Sequence, residues 1–91
     1  MKSATQRYRI TAECEFPDSS RLVSELYAEL APIGVQPEHV VIADDGAIGK
    51  PVRIEAHVDC DEKQRAVLDA FVRRALGLPW VRSIRCDIEM G

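Results

Sequence analysis

No asparagine occurs among the 91 residues of this chain, which removes every mechanism that needs a catalytic asparagine amide. Aromatic residues are scarce at 5%. No apolar run approaches the ~20 residues that a helix needs to cross a bilayer. Positive charge is not in excess: 12 Lys and Arg stand against 15 Asp and Glu, a formal charge of −3, so no phosphate-binding surface is built up. The adjacent basic pair Arg73-Arg74 falls in the last turns of a predicted helix, where cations complement the dipole. Cys14, Cys60 and Cys86 are an odd number without close spacing, which argues against a disulfide framework and favours a reducing compartment. No basic-apolar leader with a cleavage site is visible at the start. The polar stretch 1–6 reads as an artificial start or a linker, leaving 7–91 as one domain.

What is present is a succession of clean periodicities. Tyr8, Ile10, Ala12, Cys14 and Phe16 alternate with Arg9, Thr11, Glu13 and Glu15, the pattern of a strand with one buried face. Pro17-Asp18-Ser19 breaks the strand and supplies helix-cap candidates. Leu22, Leu26, Leu30 and Ile33 recur at helical spacing, widened by Val23 and Tyr27, with Glu25 and Glu29 toward solvent. Pro32 and Gly34 end that helix. His39–Ala43 is a short apolar strand, and Asp44-Asp45-Gly46 signals the following hairpin loop. Val52, Ile54, Ala56, Val58 and Cys60 alternate with Arg53, Glu55, His57 and Asp59 in a third strand. Asp61 and Gln64 have the spacing of a capping box. Val67, Leu68, Phe71, Val72, Ala75 and Leu76 give the second helix its apolar side, and Gly77 a stop. Ile84, Cys86, Ile88 and Met90 alternate with Ser83, Arg85, Asp87 and Glu89 in the last strand.

The order βαββαβ predicts an α+β, ferredoxin-like open-faced sandwich. Its four-stranded antiparallel sheet has order 4-1-3-2, with both helices on one face. On the other face the expected neighbours are Arg9 with Asp59 and Glu89, Glu15 with Arg53, and Glu13 with Arg85, a self-neutralised surface.

Candidate chemistries fail one by one on this frame. RNA-recognition modules need aromatics on the open face of strands one and three, where Arg9, Thr11, Glu13, Arg53, Glu55 and His57 stand instead. Metal carriers need a C-x-x-C loop after strand one, but Cys14 is alone there, and all three cysteines point inward. His39, His57 and the cysteines lack zinc-ligand spacing. The acidic groups Asp44-Asp45 and Asp59-Cys60-Asp61-Glu62 are explained as turn residues and a helix start, ahead of any magnesium or calcium site. Acylphosphatase-type catalysis requires the missing asparagine. No catalytic, cofactor-binding or metal-ligating residue is therefore assigned, and the expectation is a protein that is not an enzyme. ACT domains share the frame but carry a glycine in the turn after strand one. Here that turn reads Glu15-Phe16-Pro17-Asp18-Ser19-Ser20.

The opening Tyr8-Arg9-Ile10-Thr11-Ala12-Glu13-Cys14 and the closing Leu78-Pro79-Trp80-Val81-Arg82-Ser83-Ile84-Arg85-Cys86 resemble the C-terminal ACT-like domain of the MgtC/SapB family of bacterial inner-membrane proteins. Cys86 departs from the aromatic residue usual at its position. The resemblance implies a cytoplasmic domain following a multi-helix membrane segment, in a protein linked to growth at low magnesium and survival in macrophages. It implies no site residue. The expected partners are the parent chain's own membrane domain and another membrane protein, not nucleic acid, with a monomer as the expected state. The alternative is a stand-alone ACT-like regulator that binds a small molecule or senses a divalent cation, or pairs through strand two or four.

Overall fold

The computed structural model describes residues 4–15, 18–44 and 49–89. Its elements follow the expected order: β1 (Gln6–Cys14), α1 (Ser19–Leu30), β2 (Glu38–Ala43), β3 (Val52–Cys60), α2 (Glu62–Leu76) and β4 (Val81–Ile88). They form a four-stranded sheet of order β2-β3-β1-β4, the expected order read from the other edge. β1 is antiparallel to both β3 and β4, and β2 is antiparallel to β3. Pro17 of the expected strand break, the turn at Asp45-Gly46 and the inward Phe16 and Met90 lie outside the described residues, as do residues 1–3.

Alternation along the inner strands becomes burial on one side. Tyr8, Ile10, Ala12 and Cys14 of β1, and Val52, Ile54, Ala56, Val58 and Cys60 of β3, are all buried. Leu22, Leu26 and Leu30 of α1 and Leu68, Phe71 and Ala75 of α2 cover them, making one core between sheet and helices. Three residues expected on apolar faces stay exposed, among them Ile88 on the free edge of β4, 46% exposed. Tyr27 is 41% exposed and Leu76 56% exposed, because each sits at the margin of its helix's apolar stripe, beyond the width of the sheet beneath.

The helix ends show which local signals operate. Asp61 accepts from the Gln64 backbone N–H at 2.8 Å, and the Gln64 side chain accepts from the Asp61 N–H at 2.8 Å, completing the capping box. The Gln64 amide also donates to the Ile33 carbonyl at 3.1 Å, tying the start of α2 to the end of α1. Asp18 stands at the N-cap of α1, yet its side chain makes no cap hydrogen bond. After Leu30 the chain tightens into a 3-10 turn, Ala31–Ile33, and stops at Gly34 with φ 77°. Val35 N–H then donates to Leu30 C=O at 3.1 Å, a left-handed glycine stop. Gly77 ends α2 with φ −84°, so that stop needs no left-handed residue.

Two strand boundaries differ from expectation. β1 begins at Gln6, within the stretch read as linker, because its backbone already pairs with Cys60. β2 is an exposed edge strand with a register shift between Glu38 and Val41, where His39 adopts φ 51°. The bulge explains why its sequence shows no alternation.

Candidate functional site

The face of the sheet away from the helices is the surface most densely set with functional groups. β1 presents Arg7, Arg9, Thr11 and Glu13 there, between Arg53, Glu55, His57 and Asp59 of β3 and Ser83, Arg85 and Asp87 of β4. Arg7 is its hub. The guanidinium lies 3.1 Å from Glu38 through Nη2, 3.4 Å from Asp59 through Nη1 and 3.2 Å from Glu89 through Nε. One cation thus ties the starts and ends of three other strands to β1. The hydrogen bond to Glu38 raises the Arg7 pKa, helped by the charges of Asp59 and Glu89 and opposed by desolvation.

Beside this hub, His57 Nδ1 is 2.8 Å from Glu89 Oε1. The nitrogen is buried and poorly aligned for a hydrogen bond, so proximity rather than geometry defines the pair. The His39 ring meets His57 edge-on, with centroids 5.9 Å apart. The two histidines come together, as the hairpin geometry requires, but no cysteine accompanies them. Among the described residues no group of three or more His, Cys, Asp and Glu is arranged to hold a metal. The space that a cation would take between Glu38, Asp59 and Glu89 is filled by the Arg7 guanidinium. Asp61 is committed to its helix cap.

The expected charge pairs need correction. Arg9 does not face Asp59 and Glu89; it lies opposite His57 and Asp87, with Nε 3.8 Å from Glu55. Glu15 is 3.6 Å from Arg82 instead of pairing with Arg53. Glu13 lies opposite Arg53 and Ser83, and Arg85 is 3.3 Å from its own strand's Asp87. Most of these follow from a two-residue shift of register, which keeps every side chain on its face but changes its partner. The sequence reading missed Arg7 because it placed the strand start one alternation too late; the signal was the continuing Arg7-Tyr8-Arg9 pattern. Glu29, expected toward solvent, pairs instead with Arg74 at 2.7 Å, across the two helices. Arg74 also lies over the Phe71 ring, so it does more than complement the dipole of α2.

Cys14 and Cys60 are buried and Cys86 is half-buried. Burial pushes the Cys14 and Cys86 thiols up to about 11 and raises Cys60 as well. Thiols held protonated in this way are poor nucleophiles and poor metal ligands. An open groove of about 570 Å³ lies at the far end of the β2–β3 hairpin, lined by Glu13, Ile42, Ala43, Asp44, Lys50, Pro51 and Arg53. It mixes both signs of charge with apolar surface and contains no nucleophile–base pair.

Comparison with solved structures matches this arrangement from end to end. The solution structure of the C-terminal domain of the MgtC protein from Mycobacterium tuberculosis superposes with a TM-score of 0.78 at 12% identity, covering 98% of this chain and 93% of that one. The chain has the fold of the MgtC C-terminal domain. The 30S ribosomal protein S6 from Thermotoga maritima follows at a TM-score of 0.59 and 10% identity, covering 93% of this chain and 88% of that one. Both likenesses are of the ferredoxin-like frame that the strand order and register establish. No family model matches the chain, and no curated protein matches it. Within the MgtC-type frame, the turn between β1 and α1 is closed by the Asp18 N–H donating to Glu15 C=O at 2.9 Å. No helix among the described residues is long and apolar enough to cross a membrane.

Proposed function

We propose that this chain is a non-enzymatic regulatory domain of an MgtC-like bacterial inner-membrane protein. It acts by contact, from the cytoplasmic face, on the membrane domain of its parent or on another membrane protein. The observation that carries this reading is the end-to-end likeness to the MgtC C-terminal domain. The resemblance of the strands at Tyr8–Cys14 and Leu78–Cys86 to that family points the same way. The open face supports a contact role: its charges are paired among themselves around Arg7, which suits a surface that meets a partner through shape and local ion pairs. The link to growth at low magnesium and survival in macrophages belongs to the same proposal, as a property of the parent protein.

The test is the parent reading frame together with a magnesium titration. The frame is expected to encode several hydrophobic spans ahead of residue 1; a frame without them sinks the proposal. A two-dimensional amide spectrum is expected to stay unchanged in millimolar magnesium. Shifts confined to Asp44, Asp59 and Asp61 would overturn the contact role and make the domain a divalent-cation sensor.

A further inference from the structure

β4 is an edge strand, with β1 on one side and no strand on the other among the described residues. Its register with β1 runs unbroken from Ser83 to Ile88. Just past that ladder the Glu89 N–H donates to the Arg7 C=O at 2.9 Å. Backbone groups alternate sides along a strand, so Asp87, Arg85 and Ser83 also turn theirs toward β1. Ile84, Cys86 and Ile88 therefore direct their N–H and C=O groups outward, along the free edge.

The segment Ile84-Arg85-Cys86-Asp87-Ile88 is self-complementary about its centre. Antiparallel pairing with a second copy, about a two-fold axis at Cys86, sets Ile84 of each copy against Ile88 of the other. It sets Arg85 of each against Asp87 of the other, and Cys86 against Cys86. The isoleucines and cysteines share the helix side, and the charges share the open face. Each outward N–H and C=O gains a partner, because the even-numbered positions become hydrogen-bonded pairs. The charged positions become the non-hydrogen-bonded pairs, where side chains approach more closely. Ile88 is 46% exposed and the Arg85 side chain 70% exposed, while Ile84, at 6%, is already covered within its own copy, so the cover gained falls on Ile88 and the charged pair. β2, the opposite edge, lacks this match. It carries the bulge at His39, and a two-fold axis on Val41 would set Glu38 against Asp44.

We propose that two copies of this chain join edge to edge through β4, with the two-fold axis at Cys86, to form one continuous antiparallel sheet. The inference stands apart from the membrane role, since it rests on the edge strand alone.

Sedimentation equilibrium on the full chain tests it, with R85D and the exchange variant R85D/D87R alongside. The contact is small, so the dissociation constant is expected at roughly 10–1,000 µM. R85D places Asp against Asp twice across the axis and is expected to weaken association about tenfold or more. R85D/D87R restores opposite charges at both positions and is expected to recover it. In amide hydrogen exchange, Ile84, Cys86 and Ile88 are expected to slow as concentration rises, while Arg85 and Asp87 are protected throughout. A monomer at every concentration up to the millimolar range would overturn the proposal. So would R85D associating like the unaltered chain, or concentration-dependent protection at Val40–Ile42 in place of β4.

Discussion

Arg7 shows how one side chain can serve a whole sheet. It faces Glu38, Asp59 and Glu89 at 3.1, 3.4 and 3.2 Å, and these reach it from β2, β3 and the end of β4. Its side chain is 34% exposed, so solvent screens each pair and no single one contributes much. The network matters more through what its loss leaves behind, which is three carboxylates with no cation between them. Arg7→Met keeps the aliphatic stem and removes the charge. It is expected to lower the urea midpoint at low salt, and to lower it less in about 1 M salt, where the freed carboxylates no longer repel. Urea unfolding of both proteins at the two salt concentrations checks this; an equal loss in both would mean packing, not charge, is what Arg7 supplies.

The thiols give a second prediction at this scale. Cys14 and Cys86 are raised to about 11 by burial. A folded-state pKa raised above the unfolded value means that the native state holds its protons longer. Stability from this source is complete below about pH 8.5 and is lost as pH rises through the folded value near 11. The urea midpoint is therefore expected to fall between pH 8 and pH 10. At pH 8 a thiol reagent is expected to reach half-buried Cys86 before Cys14 or Cys60.

Elements differ in how openly their signals are written. The capping box of α2 was legible because Asp61 and Gln64 lie at the one spacing that satisfies two N–H groups reciprocally. β1 and β3 were legible because both lie inside the sheet, where only strict alternation keeps charges out of the core. β2 was the hardest to read, since an edge strand with little burial places few demands on its residues, and the bulge at His39 breaks the period. Registers were not legible at all: a shift by two residues leaves every face intact, so the pattern that places Arg9 on the open face does not choose its partner. The same element scale distinguishes two aspartates that look alike in sequence. Asp61→Ala removes a real cap and is expected to cost about 1 kcal/mol, whereas Asp18→Ala removes a side chain that makes no cap bond and is expected to cost a few tenths at most. Comparing the thermal midpoints of the two variants checks this, and equal losses would place an unseen cap at Asp18.

For the whole molecule, the decisive fact is that 91 residues share one core. A domain of this size has about 5–15 kcal/mol of stability in all, so a single large cavity consumes a substantial part of it. Leu68 is wholly buried in α2, between sheet and helices, while Leu76, two turns further along the same helix, is 56% exposed. Helical spacing puts both on the apolar side of α2, because spacing alone cannot show where the sheet beneath ends. Leu68→Ala is expected to cost about 2–5 kcal/mol, and Leu76→Ala well under 1 kcal/mol. The contrast tests the architecture as well as the residues. If α2 rests on the sheet through Leu68 while its far end runs past the sheet, stability should respond to Leu68 and ignore Leu76. Equal sensitivity in urea unfolding would mean that α2 buries its far end against something else, a second copy or a neighbouring domain, in the protein as it works.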